Sequence, residues 1–208
     1  MNDGFIAFWL LSMAAILYMT GWKEHVADGV PHRVIVYFVL FALLLHYVQL
    51  PIGDSALITG SATIAVTLAV ALLIAMRNIG AMLFVLFSAL LTGFMWMWMR
   101  YIYSIDPVFI VVSPNWDGPL LAGLFAGLLA DRFKTQFILA VMAAVFSVGD
   151  QLLSPLAVSK PILIGTATWW DGLVIALCAA RLTGNVKHWL KEKTLRMMES
   201  RGERGGSA

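Results

Sequence analysis

Residues 57–76, LITGSATIAVTLAVALLIAM, and residues 79–99, IGAMLFVLFSALLTGFMWMWM, are two apolar runs with only Arg77 and Asn78 between them. Each has about the 20 residues that a helix rising 1.5 Å per residue needs to cross a 30 Å hydrocarbon layer. So short a connection leaves an antiparallel helical hairpin as their one simple arrangement. Further apolar runs lie at 4–22, 34–50, 117–131, 137–153 and 161–181. The expected fold is therefore all-α: a polytopic transmembrane helical bundle of about seven spans. Composition agrees, because 12% of the 208 residues are charged and 61% are hydrophobic, where a soluble domain carries about 25% charged residues. Too little polar surface exists to face water on every side.

Charge sets the expected orientation. With seven spans and the N-terminus outside, the inner loops hold Lys23, Arg33, Arg77, Arg132 and Lys134, and the outer segments hold Arg100 and Lys160. Seven more basic residues, from Arg181 to Arg204, follow the last span and make the tail cytoplasmic. Acidic residues run the other way: Asp3, Asp54, Asp106, Asp117, Asp150 and Asp171 all fall toward the outer side. The opening run is flanked by Asp3 and by no Lys or Arg, and it is too long for a signal-peptide core. It reads as the first span. Residues 1–181 form the membrane domain, and residues 182–208 form a basic, amphipathic cytoplasmic tail whose last part, RGERGGSA, is expected to be disordered.

Four inward-running spans begin near an aspartate and a small residue: NDGF at Asp3, IGDSAL at Asp54, NWDGPL at Asp117 and WWDGLV at Asp171. The last two align further at an offset of 54, matching Trp116, Asp117, Gly118, Ala122 and Ala126 with Trp170, Asp171, Gly172, Ala176 and Ala180. The first turn of a helix leaves backbone N–H groups without partners, and an aspartate accepts from them. The expectation is that Asp117 and Asp171 each cap their own helix, with the adjacent tryptophans at headgroup level. If Asp171 caps the last helix, Arg181 lies inside the membrane and needs a partner; if that helix starts at Pro161, Asp171 itself is submerged. Pro114 and Pro119 oppose one unbroken helix before Asp117, so 107–116 is read as extended or re-entrant.

Other groups offer a functional use beside a structural one. MWMWMRYIY, 95–103, reads as an interfacial aromatic belt rather than a ligand cage. Gly123 and Gly127, four apart among alanines, allow close helix approach within the chain, or toward a second copy or a membrane partner. Ser61, Ala65 and Ala69 form a similar ridge. His46 is expected to bond a backbone carbonyl, with proton relay as the functional alternative, and Asp150 is the deepest outer carboxylate that opens no helix. Glu24, His25, Asp28 and His32 read as a solvated loop, since Gly29 and Pro31 oppose a helical metal site. In the tail, Lys187, Trp189, Lys191, Lys193 and Arg196 suit an anionic lipid surface.

The opening FIAFWLLSMAAILYMTGWKE, the outer LPIGD, the IDPVF motif and the late WW together resemble the YphA-type family of small polytopic Firmicutes membrane proteins. The resemblance implies a multi-pass protein of the bacterial cytoplasmic membrane and carries over no catalytic residues. No nucleophile–base pair, cofactor motif or metal cluster is visible, and basic tails of this kind anchor rather than bind nucleic acid. The first functional expectation is a non-enzymatic membrane scaffold or assembly protein. The second is a small permease or ion-coupled channel whose ion or substrate pathway uses Asp150, Asp171, Asp117, His46 and Arg100.

Overall fold

The computed structural model describes residues 2–53, 56–149, 151 and 162–205. Helices dominate. Helix α1 (Phe5–Leu17) runs through a π turn (Tyr18–Trp22) into the short α2 (Lys23–Ala27); Gly21, at φ 101°, breaks the axis there. Then come α3 (His32–Leu44), α4 (Gly60–Ile74), α5 (Ile79–Ile105), α6 (Asp117–Leu129), α7 (Phe133–Phe146) and α8 (Ala167–Gly205). The segments Phe5–Ala27 and Ile79–Tyr103 are long and apolar enough to cross a membrane.

Three short strands depart from an all-helical reading. β1 (Gln49–Ile52) pairs antiparallel with β2 (Ala56–Thr59), which pairs parallel with β3 (Ile162–Ile164). The strands overlap the ends of the apolar runs 34–50, 57–76 and 161–181, where hydropathy alone cannot separate a strand from a helix end. β2 and β3 lead directly into α4 and α8, so those helices start at the same end of the bundle. Thr59 caps α4 by accepting from the Ala62 amide at 3.3 Å. Gly165 joins β3 to α8 at φ 91°, where any side chain would begin 2.1 Å from Thr59 Oγ1. The starts of α1, α4, α6 and α8 lie at this "sheet end"; the α2–α3 turn and the α6–α7 turn lie at the opposite "tail end".

The core is built from small residues at helical spacing. Ala62, Ala65 and Ala69 of α4 are fully buried against α7. The most extensive helix pairing is α6 with α8, which run parallel and in register. A Cβ on Gly123 would lie 2.3 Å from the Ala176 carbonyl oxygen, and one on Gly127 would lie 2.5 Å from that of Ala180. The two glycines are thus spent inside the chain, and the docking of a second copy through them is corrected: α8 already occupies that face. Helix α8 then continues past residue 181 without a break, 39 residues or about 58 Å in all. Its far part projects well beyond the bundle.

Helices α1 and α3 are peripheral. Ala7 is the one buried residue of α1, and none of α3 is buried. Replacing Gly123 by leucine should therefore destabilise the bundle core far more than Gly80→Ala, whose nearest contact is the Asn78 cap at 3.3 Å. Thermal unfolding in detergent should show a loss of at least about 1–3 kcal/mol for Gly123→Leu and near-unchanged stability for Gly80→Ala.

Candidate functional site

The sheet end is organised around Trp96 of α5. Its indole is 94% buried, because only 6% of the residue is exposed, and it lies between the first turns of α6 and α8. A Cβ on Gly118 would meet Trp96 Cδ1 at 2.7 Å, and one on Gly172 would meet Cζ2 at 2.7 Å. The repeated Trp-Asp-Gly motif thus has a spatial cause: each glycine clears room for one edge of the same ring. Trp96 belongs to the core and not to an aromatic belt, whereas Trp98 and Tyr101 remain exposed. Trp169 is buried too, its Nε1 donating to the Ala144 carbonyl at 3.0 Å.

The two motif aspartates do not cap their own helices. Helix α8 starts at Ala167, with Thr166 Oγ1 accepting from the Trp169 amide at 3.2 Å, which places Asp171 one turn inside. From there it accepts from the amides of Gly4 at 2.8 Å and Ala7 at 2.7 Å. Gly4 is the N-cap of α1 and Ala7 is three residues on. Those are the two donors that a capping box satisfies from within a helix. Here one carboxylate on another helix satisfies both, and Asp3 supplies no cap. Asp117, 7% exposed, accepts from Tyr103 Oη at 2.8 Å and from the amides of Val111 at 2.9 Å, Val112 at 3.1 Å and Ser113 at 3.3 Å. It folds the preceding segment onto α6 as a backbone nest. That segment is a 3-10 turn, Pro107–Phe109, followed by irregular chain.

The remaining candidates are dispersed. Arg100 donates from Nη1 to the Ser147 carbonyl at the end of α7, 3.1 Å away. His46 Nδ1 lies 3.3 Å from Ser61 Oγ, a hydroxyl and not the expected carbonyl; Ser61 also accepts from Trp170 Nε1 at 3.2 Å and lies 3.1 Å from Thr59 Oγ1. Asp54 and Asp150 lie outside the described residues. Two adjoining clefts share Arg100, Pro114 and Asn115, with volumes of about 170 and 230 Å³. Neither is lined by Asp117, Asp171 or His46, so the described members of the supposed pathway do not meet in these two clefts. Among the described residues no cluster of three or more metal-ligating side chains occurs.

At the tail end, Arg181 answers the question of its partner. Its guanidinium donates to the Glu24 and His25 carbonyls and pairs with Asp28, while Asn185 Nδ2 donates to the same His25 oxygen at 3.0 Å. Asp28, read from sequence as part of a solvated loop, also accepts from the Phe133 amide at 2.5 Å. It joins the α2–α3 turn to both α7 and α8. Its one sequence signal was an acidic residue among the basic ones of an inner loop. Lys187 is turned inward, donating to the Leu128 carbonyl at 2.9 Å and pairing with Asp131 at 2.6 Å. That ammonium holds the Asp131 carboxyl below the usual carboxylate range. Trp189, Lys191, Lys193 and Arg196 stay exposed, with Lys193 Nζ 5.1 Å from the Trp189 ring centroid.

A family model described as "YphA-like integral membrane protein" matches residues 3–205. The chain belongs to the YphA-like integral membrane protein family. Comparison with curated proteins and with solved structures returns no significant match. For this YphA-like integral membrane protein, lipid replaces water around the spanning segments, where a polar group that loses its partner finds no water to take its place.

Replacing Asp171 by alanine removes two charge-assisted hydrogen bonds of about 1.5–3 kcal/mol each. Because α1 has so little buried surface, the expected outcome is local: amide exchange at Gly4 and Ala7 accelerates sharply while the α6–α8 core stays protected. Exchange in α1 that Asp171→Ala leaves unchanged would count against the clasp. The Asp131 carboxyl is depressed in the folded state, so its small contribution is present at neutral pH and disappears as pH falls through that depressed value. The stability gap between wild type and Lys187→Gln should close over that acidic range in pH-resolved melting.

Proposed function

We propose that the chain crosses the bacterial cytoplasmic membrane seven times, N-terminus outside, and serves as a non-enzymatic scaffold or assembly protein that presents α8 to the cytoplasm. The observation that carries this reading is the engagement of two described carboxylates, Asp171 and Asp117. Asp171 and Asp117 take hydrogen bonds from two and three backbone amides, respectively. A carboxylate so engaged joins segments and has little capacity left for a passing ion.

Topology supports the seven crossings. Helix direction alternates between the sheet end and the tail end, and α6 and α8, read as the fifth and seventh spans, run parallel. Basic residues gather at the tail end, as the positive-inside rule requires of a cytoplasmic face. Beyond the bundle, Leu182, Val186, Trp189, Leu190 and Met197 form an exposed apolar stripe beside Lys191, Lys193 and Arg196. This surface suits contact with the anionic inner leaflet, each near-surface cation contributing about 1 kcal/mol.

A small permease is the second reading, favoured by the clefts beside Arg100. Two measurements separate the readings. With Cys178 replaced by alanine, Asn2→Cys should react with an impermeant maleimide on intact cells, and Ser207→Cys only after permeabilisation. Proteoliposomes carrying the purified chain should pass cations and anions no faster than protein-free vesicles. Flux above that background that Arg100→Gln abolishes would overturn the scaffold reading in favour of the permease.

A further inference from the structure

We infer that α8 beyond Lys187 has a second position, folded away from the bundle with its apolar stripe laid on a surface of anionic phospholipid. This deepens the scaffold reading and rests on its placing of the far part of α8 in the cytoplasm. Lys187 ties the helix to the bundle, its ammonium meeting the Leu128 carbonyl and Asp131. Residues 188–205 then carry it about 27 Å further. Residues 188–198 of this arm are all exposed. Contacts within it include Thr194 Oγ1 donating to the Leu190 carbonyl, His188 beside Glu192, and Lys193 over Trp189.

A helix turns by about 100° per residue, and that fixes which way the stripe points. Ala176 and Ala180 meet Gly123 and Gly127 of α6, and Lys187 falls on the same side of α8. Arg181 and Asn185, roughly 140° around the helix, meet the His25 carbonyl of α2. Leu182, Val186, Trp189 and Leu190 share a sector of about 100° that faces away from both neighbours, and each is more than half exposed. Standing out from the bundle, the arm leaves Trp189 and Leu190 in water. Folding toward the side that the stripe faces turns the stripe against the leaflet beside the bundle, as an interfacial amphipathic helix lies.

Charge decides between lipid and a second copy. Lys193 falls in the middle of the sector, its Nζ 5.1 Å from the Trp189 ring centroid, and Arg196 falls at the sector's edge. Between Val186 and Met198 the one acidic residue is Glu192, placed beside His188. Two arms paired through this face would bury those cations against their own copies in an apolar seam. Anionic headgroups instead supply the opposite charge at the depth where lysine, arginine and tryptophan side chains reside.

The test uses the full chain in nanodiscs, with Cys178→Ala and one new cysteine carrying a bimane label. Should Cys178→Ala lower the melting temperature, Cys178→Ser replaces it. Leu190→Cys puts the label on the stripe, and Leu195→Cys puts it on the opposite face. Discs of phosphatidylcholine are compared with discs of equal parts phosphatidylcholine and phosphatidylglycerol, each with an acyl-chain nitroxide lipid as quencher. The label at 190 should be strongly quenched with phosphatidylglycerol and weakly without it, and the label at 195 should stay unquenched in both. Lys193→Gln with Arg196→Gln should shift the ratio of folded-down to standing arms about thirtyfold toward water, from about fivefold per cation. Equal quenching in both kinds of disc, quenching of both labels, or quenching of neither overturns the second position. Excimer emission from pyrene on Leu190→Cys overturns it too, by assigning the face to a second copy. A disc presents both leaflets, so a chain inserted in the reverse sense gives the same readout; cell labelling and flux test the scaffold reading separately.

Discussion

In a bilayer the lipid tails are as apolar as the helices, so burial of leucine against leucine does little to bring two helices together. What associates α6 with α8 is contact between backbones, made where Gly123 faces the Ala176 carbonyl and Gly127 faces that of Ala180. Dispersion between closely fitted surfaces is individually weak and collectively sufficient. The same closeness puts Gly118 and Gly172 side by side and leaves a slot between them that the Trp96 ring fills. Were α6 and α8 held farther apart by side chains, that slot, the cleft beside it and the seat of α5 would all change shape. The rest of the molecule is assembled on this pair.

The peripheral helices are attached by a second kind of force. Helix α1 contributes almost nothing to the core; Asp171 ties its start to α8, and Arg181 ties to α8 the α2 segment that follows it. Asp171 meets amides that a helix start leaves unpaired, and Arg181 meets carbonyls of the short α2. In lipid such a group costs several kcal/mol when unsatisfied, so the clasp and the cap are one interaction. Asp117 applies the same chemistry to the loop after α5, and Asp28 applies it to the first amide of α7. Charged residues thus serve this fold at helix ends, each aimed at a different segment from its own.

Among the described residues, Asp171 and Asp117 are engaged in holding segments together, whereas Arg100 lines a separate cleft. The alanines at the centre of α4, α7 and α8 are packed to almost complete burial.

Much of this architecture was legible in the chain. Length and hydropathy marked the helices near their observed positions, since each needs its own run of apolar residues whatever its neighbours are. Gly123 and Gly127 announced close packing, and the Trp-Asp-Gly repeat announced that 117 and 171 share a role. The sequence could not say what that role was. Asp171 has α8 amides near it in sequence and α1 amides near it in space, and only the tertiary arrangement decides which it meets. The strands, the inward turn of Lys187 and the burial of Trp96 were likewise decided by partners far away along the chain. Local chemistry determined which groups require a partner; the folded structure determined which partner, because hydrogen bonds and van der Waals contact act over a few ångströms and take no account of sequence separation.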